Sequence, residues 1–288
     1  MREIVWRISD DSSRRDPLPT DASTATARLE TGNKAFAELF DAAGLTKRIM
    51  HLTPADLGVG EDGRPPPQRP FATLLSCADA RVPVELLFNE RANDLFVVRL
   101  AGGVLGEGAI GSLDFAIDNL PSLVLTVALG HTGCGAVTSA VDTYLDPASY
   151  LAAAHSRPLL AVVQNLLGAV RLADHTLHEV HGVEVRSRPG YRDALTELSV
   201  VANAGTNAAA LSRRFRLRMA ATKAEVPVVF GVYDLVSRYV GLPGPTLDWS
   251  PGLVAAPDDG PAFGHALREI AFGPRISSVL DTTASGGR

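Results

Sequence analysis

Cysteine is nearly absent from this chain: 288 residues hold two, Cys77 and Cys134. That scarcity excludes a disulfide-stapled scaffold, which needs several bridges, and leaves a single Cys77–Cys134 bridge as the most that oxidation could form. Excess positive charge is missing as well. The formal net charge is -5, so there is no electrostatic footprint for nucleic acid. The short basic cluster Ser212-Arg-Arg-Phe-Arg-Leu-Arg218 sits in a helical pattern and reads as a solvated helix face or a contact between subunits. Long apolar runs are lacking too: Leu123 to Leu129, and Leu159 to Val170 with a Gln and an Asn inside, are too short or too interrupted to span a bilayer. The amino terminus has no apolar stretch of signal-peptide length. The expectation is a cytoplasmic protein with neither a membrane nor a nucleic-acid partner, in a reducing compartment that disfavours the bridge. No internal repeat occurs.

What is present is a pair of motifs. Cys77-Ala-Asp79-Ala-Arg81 and His131-Thr-Gly-Cys134 each follow an apolar run. Two thiolates and one imidazole are the number of protein ligands a catalytic zinc takes while leaving a fourth position for water. The H-x-x-C spacing can bring two donors to one ion within a single turn. Asp79, two residues after Cys77, is placed to address the fourth position. The bland readings are a buried apolar thiol for Cys77, a loop histidine satisfied by backbone for His131, and a surface salt bridge for Asp79 and Arg81. The chain offers no other cysteine, and the convergence of the two motifs favours one zinc ion per chain.

A hydrophobic share of 46% fits a packed domain. Residues 1 to 24, rich in Ser, Asp, Arg, Pro and Thr, read as a mobile arm. Ala25 to Phe40 has helical spacing and is expected to pack outside the core. Strand candidates are Phe71 to Ser76, Leu95 to Arg99, Leu123 to Leu129 and Val226 to Tyr233. Helices are expected from Pro83, over Ile110 to Asn119, Gly135 to Tyr144, Pro158 to Val180 and Arg192 to Arg218. Strands alternating with helices predict an α/β fold, a mainly parallel β-sheet flanked by helices. Such sheets bind ligands at the carboxyl ends of their strands, where Cys77 and His131 both fall. The expected division is an arm, a domain over 25–241, and a Pro/Gly-punctuated C-terminal extension over 242–288 with Leu267 to Phe272 as a short ordered piece.

C-x-D-x-R after one strand and G-H-x-x-C-G after another resemble the β-class carbonic anhydrases. Thr31-Gly-Asn-Lys-Ala-Phe36 is similar to that family's amino-terminal helix, Asp94-Leu-Phe-Val-Val-Arg99 to its second strand and Gly231-Val-Tyr-Asp234 to its last. The resemblance covers roughly residues 25 to 240. It implies Cys77, His131 and Cys134 as zinc ligands, Asp79 and Arg81 as a catalytic dyad, Gln68 with Gly102 and Gly103 as substrate contacts, and a homodimer or higher even oligomer. Three departures stand out: Ala80 replaces a usual Ser, Gly103 a usual Asn, and Ser237-Arg238 a usual Thr-Gly.

The activity so implied is reversible hydration of carbon dioxide to bicarbonate and a proton. The alternatives are hydrolysis of carbonyl sulfide or carbon disulfide on the same scaffold, or a non-catalytic, zinc-stabilised interaction protein. Arg81 can grip Asp79 bidentately, which a purely structural site would not need. Two thiolates offset the ion's charge, so activity is expected to rise toward alkaline pH. His175, His178 and His181, spaced three and three, drift around a helix and read as a polar face.

Overall fold

The computed structural model describes residues 2–11, 16–41, 46–60, 64–153, 155–219, 226–246 and 248–282. Its centre is a seven-stranded sheet. The apolar runs that cannot leave either face exposed form the middle of it: β3 (Ala72–Cys77) and β6 (Val228–Tyr233) are buried at every residue, and β5 (Leu125–His131) at all but one. With β4 (Leu95–Leu100) these four strands are parallel, in the order β4-β3-β5-β6. The chain leaves β3 for β4 on one side and returns to β5 on the other. β3 and β5 therefore flank the point where strand order reverses, and their in-register pairing brings Cys77 and His131 to one sheet edge.

Helices cover both faces. On one, α1 (Ala22–Asp41) and α2 (Val84–Leu87) pack Ala25, Leu29, Val84 and Leu87 against Leu74 and Val127. On the other lie α3 (Glu107–Asn119), α4 (Gly135–Leu145), α6 (Arg157–His181) and α7 (Tyr191–Met219), closing a core around Leu75, Leu166, Leu198 and Phe230. α5 (Pro147–Ala153) links α4 to α6.

The N-terminal portion departs from expectation. Arg2–Ile8, read from composition as part of a mobile arm, form β1, paired in parallel along its whole length with β2 (Thr46–Leu52). α1 belongs to the core instead of lying outside it. Gly32 is the reason it can approach: a Cβ there would meet the Phe88 carbonyl oxygen at 1.8 Å. Asn33 then stitches the helix down, donating to the Leu87 and Arg238 carbonyls and accepting from the Val240 N–H.

Beyond β6 the sheet continues antiparallel through β7 (Val240–Pro243) and β8 (Trp249–Pro251), with β9 (Val254–Ala255) beside β6. α8 (Gly260–Phe272) is longer than the short piece expected, because Asp259 caps it and Phe263 and Leu267 bury against the core. α9 (Pro274–Asp281) follows, with Ile276 and Leu280 fully buried.

Candidate metal centre

At the carboxyl ends of β3 and β5 three donors converge. The ligand atoms of Cys77, His131 and Cys134 lie within 4.8 Å of one another, and all three residues are buried. The sulfurs are 3.9 Å apart, far beyond the ~2.05 Å of a disulfide, so the thiols are free. Zinc–sulfur bonds of about 2.3 Å in a tetrahedron would separate two sulfurs by roughly 3.8 Å. His131 Nδ1 lies 2.9 Å from the Thr132 carbonyl oxygen and donates to it, which leaves Nε2 as the lone-pair atom; Nε2 is buried without a partner. A divalent ion of the zinc type fits this donor set, and it would satisfy the ring nitrogen that His131 leaves without a partner.

Local structure prepares the thiols for it. The backbone N–H groups of Asp79 and Gly102 donate to Cys77 Sγ at 3.4 and 3.3 Å. Gly102 can do so because it adopts a left-handed φ of 70°. Hydrogen bonding from the Cys134 thiol, helped by these two amides, pulls the Cys77 thiol well below its ordinary range. The same contact, with burial, pushes the Cys134 thiol up. Cys134 also occupies the N-cap position of α4, where the free N–H groups of the first turn favour negative charge.

Asp79 stands beside this cluster, its Oδ2 3.9 Å from His131 Nε2. Arg81 holds it bidentately, Nε to Oδ1 at 3.0 Å and Nη2 to Oδ2 at 2.7 Å, and its backbone N–H adds a third bond at 2.8 Å. These bonds hold the Asp79 carboxyl well below the usual carboxylate range. Arg81 also donates to the Gly133 carbonyl at 3.1 Å, tying the two motif loops together.

Several further residues support the cluster. Arg99 donates to the Cys77 and Asp79 carbonyls at 2.9 and 2.6 Å. Asn203 and Asn207 of α7 hold the carbonyls of Gly102 and Gly103 at 2.8 and 3.0 Å. Their i,i+4 spacing on a long apolar helix was the available signal. Thr132 donates to the buried Asp234 at 3.0 Å.

The structure does not bring Gln68 to this cluster. It is exposed and lines a groove with Asp56, Pro66 and Asn93. It precedes β3, so the length of that strand, on the order of 20 Å, separates it from Cys77. Gly102 and Gly103 do lie beside Cys77, as backbone around the thiol. His175, His178 and His181 do not converge: they engage Glu179, the Asp174 carbonyl and the Ala271 carbonyl respectively.

The family model described as carbonic anhydrase matches residues 72–240, a span that opens with β3 and ends at β7 and so contains the whole cluster. The chain belongs to the β-class carbonic anhydrase family. Carbonic anhydrase 2 of Mycobacterium tuberculosis is 42% identical over 79 residues, 27% of this chain and 38% of that relative. The carbonic anhydrase of Mycolicibacterium smegmatis is 43% identical over 75 residues, 26% of this chain and 36% of that relative. The chain thus spans well under half the length of these curated relatives. Among solved structures, a Coccomyxa beta-carbonic anhydrase in complex with acetazolamide aligns with a TM-score of 0.49 at 19% identity, over 62% of this chain and 73% of that one. Among the described residues no helix is long and apolar enough to cross a membrane.

Proposed function

We propose that this family member catalyses the reversible hydration of carbon dioxide to bicarbonate and a proton, with one zinc ion per chain held by Cys77, His131 and Cys134. The observation that carries the reading is the orphaned His131 Nε2 facing two free thiols, with an ionised carboxylate clamped beside them. When bound, zinc supplies a Lewis acid and makes water nucleophilic near neutral pH.

The chain's own groups do the rest. Asp79 Oδ2 accepts a hydrogen bond from the attacking water and aims it. Arg81 occupies both Asp79 oxygens, keeping that carboxylate charged and out of the ligand set. Cys77 and Cys134 enter as thiolates, so the donor set carries two negative charges and activity climbs from neutral to mildly alkaline pH. Gln68 lies away from this cluster within one chain. Membership of the family supports assembly into a homodimer or a multiple of it, which light scattering at micromolar concentration tests.

Stopped-flow hydration of carbon dioxide on protein of measured zinc content tests the activity, with carbonyl sulfide run in parallel. Zinc-loaded protein without hydration of the first, or active protein without metal, overturns the reading.

A further inference from the structure

α9 contributes no donor to the cluster, yet it supplies the cation that stands behind His131. The contacts run inward from it. Arg275 Nη2 lies 3.6 Å from Asp234 Oδ1, its Nε donates to Glu197 of α7, and its guanidinium stacks 4.9 Å from the Trp249 ring centroid. Three partners on three elements fix one planar group. Asp234 is 1% exposed, and a carboxylate buried that far needs a countercharge. Arg275 is the cation paired with it.

Asp234 in turn fixes Thr132. Its Oδ1 accepts the Thr132 hydroxyl at 3.0 Å, and that hydroxyl oxygen accepts the Leu235 N–H at 3.0 Å. The Ser237 N–H, 2.9 Å from Oδ2, keeps the carboxylate from rotating. The Thr132 carbonyl is the acceptor that sets the tautomer and tilt of the His131 ring. An unbroken series of polar contacts therefore joins the C-terminal helix to the one imidazole of the cluster.

We propose that Arg275 is a positioning residue for the metal centre: by neutralising Asp234 it holds Thr132, and so keeps His131 Nε2 aimed at the two thiols. The C-terminal segment then sets metal affinity as well as covering the core. This rests on the reading of Cys77, His131 and Cys134 as a zinc site.

The test is zinc affinity of the full chain by chelator competition, with folding of each variant checked by circular dichroism. Arg275→Met binds zinc on the order of tenfold more weakly than wild type, the range seen when a group supporting a metal-ligating histidine is removed. Arg275→Lys, which keeps the charge, retains most of the affinity. Arg188→Met is the control for general loosening of the tail, because Arg188 pairs with Asp281 of α9 without reaching Asp234; it binds as wild type does. In metal-free protein the ring nitrogen shifts of His131 move from one tautomer toward a mixture in Arg275→Met. Should that variant fail to fold, Arg275→Gln is read in its place. Wild-type affinity in folded Arg275→Met or Arg275→Gln, or an equal loss in Arg188→Met, overturns the proposal. Wild-type protein that binds no zinc overturns it together with the metal reading, whereas zinc binding without carbon dioxide hydration removes the proposed activity alone.

Discussion

The loop from Cys77 to Arg81 faces solvent, with the Arg81 side chain 58% exposed, whereas the loop from His131 to Cys134 is turned inward, with His131 1% exposed. The outer loop is held by contacts water can reach: Arg81 on Asp79, and Arg99 on the Cys77 and Asp79 carbonyls. The inner loop leans on Asp234, which is buried at the end of β6 and paired from α9. The difference separates two jobs. Groups whose protons and hydrogen bonds must respond to substrate sit where rearrangement is cheap, and the imidazole that must not move is anchored to the rest of the fold.

The strongest way to break that comparison is to remove a donor from each loop. Cys134→Ala and Cys77→Ala should each reduce bound zinc from one per chain to none, measured by elemental analysis, since neither loop alone offers three ligands. Retention of metal by either variant would show that another donor set exists.

Next in size is the support behind the inner loop. Asp234→Ala leaves Arg275 without its ion-pair partner there and strips Thr132 and Ser237 of their acceptor. It should cost about 3 kcal/mol in urea unfolding of the metal-free protein, the order found when one member of a buried charged pair is deleted. A loss under about 1 kcal/mol would place Asp234 with the surface pairs and erase the distinction between the loops.

The same asymmetry explains what could be read from the sequence. β3 and β5 were legible because a strand covered on both faces must be apolar throughout, and the ligands because each motif packs its chemistry into four or five residues. The anchor of the inner loop was not. Asp234 lies in a segment with family likeness, but its partner Arg275 is separated from it by β7, β8, β9 and α8, and no local pattern marks such a pair. β7, β8 and β9 span four residues or fewer each, too short for alternation to register. β1 alternates weakly and finds its partner β2 only across α1, so local composition does not mark it as a strand. α1 was misplaced outside the core because the backbone approach at Gly32 becomes meaningful only with the Phe88 carbonyl opposite it.

The outer loop is where activity and stability should part. Asp79→Asn should retain zinc while lowering carbon dioxide hydration on the order of tenfold or more. The amide has a single acceptor oxygen, so it cannot take both Arg81 donors and the water's hydrogen bond as the carboxylate does, and it lacks the charge that Arg81 maintains. Equal rates in wild type and a zinc-loaded Asp79→Asn would remove Asp79 from the mechanism. Arg81→Leu should lose activity with zinc still bound, because the freed carboxylate can fill the fourth position.

The smallest effect is on stability, and its pH dependence has a fixed sign. Arg81 hydrogen bonds hold the Asp79 carboxyl below its unfolded value. The Asp79–Arg81 contribution is therefore fully present above the unfolded pKa of about 3.9 and is lost as pH falls from there toward the folded one. With Arg81 more than half exposed, solvent screening limits the pair to about 0.5 kcal/mol. In metal-free protein, wild type should exceed Arg81→Leu by that amount at pH 6 in urea unfolding, and the two curves should draw together below about pH 4. A gap that stayed constant on acidification would mean that Arg81 stabilises the fold through the Gly133 carbonyl, which does not titrate, and the outer loop would then be anchored like the inner one.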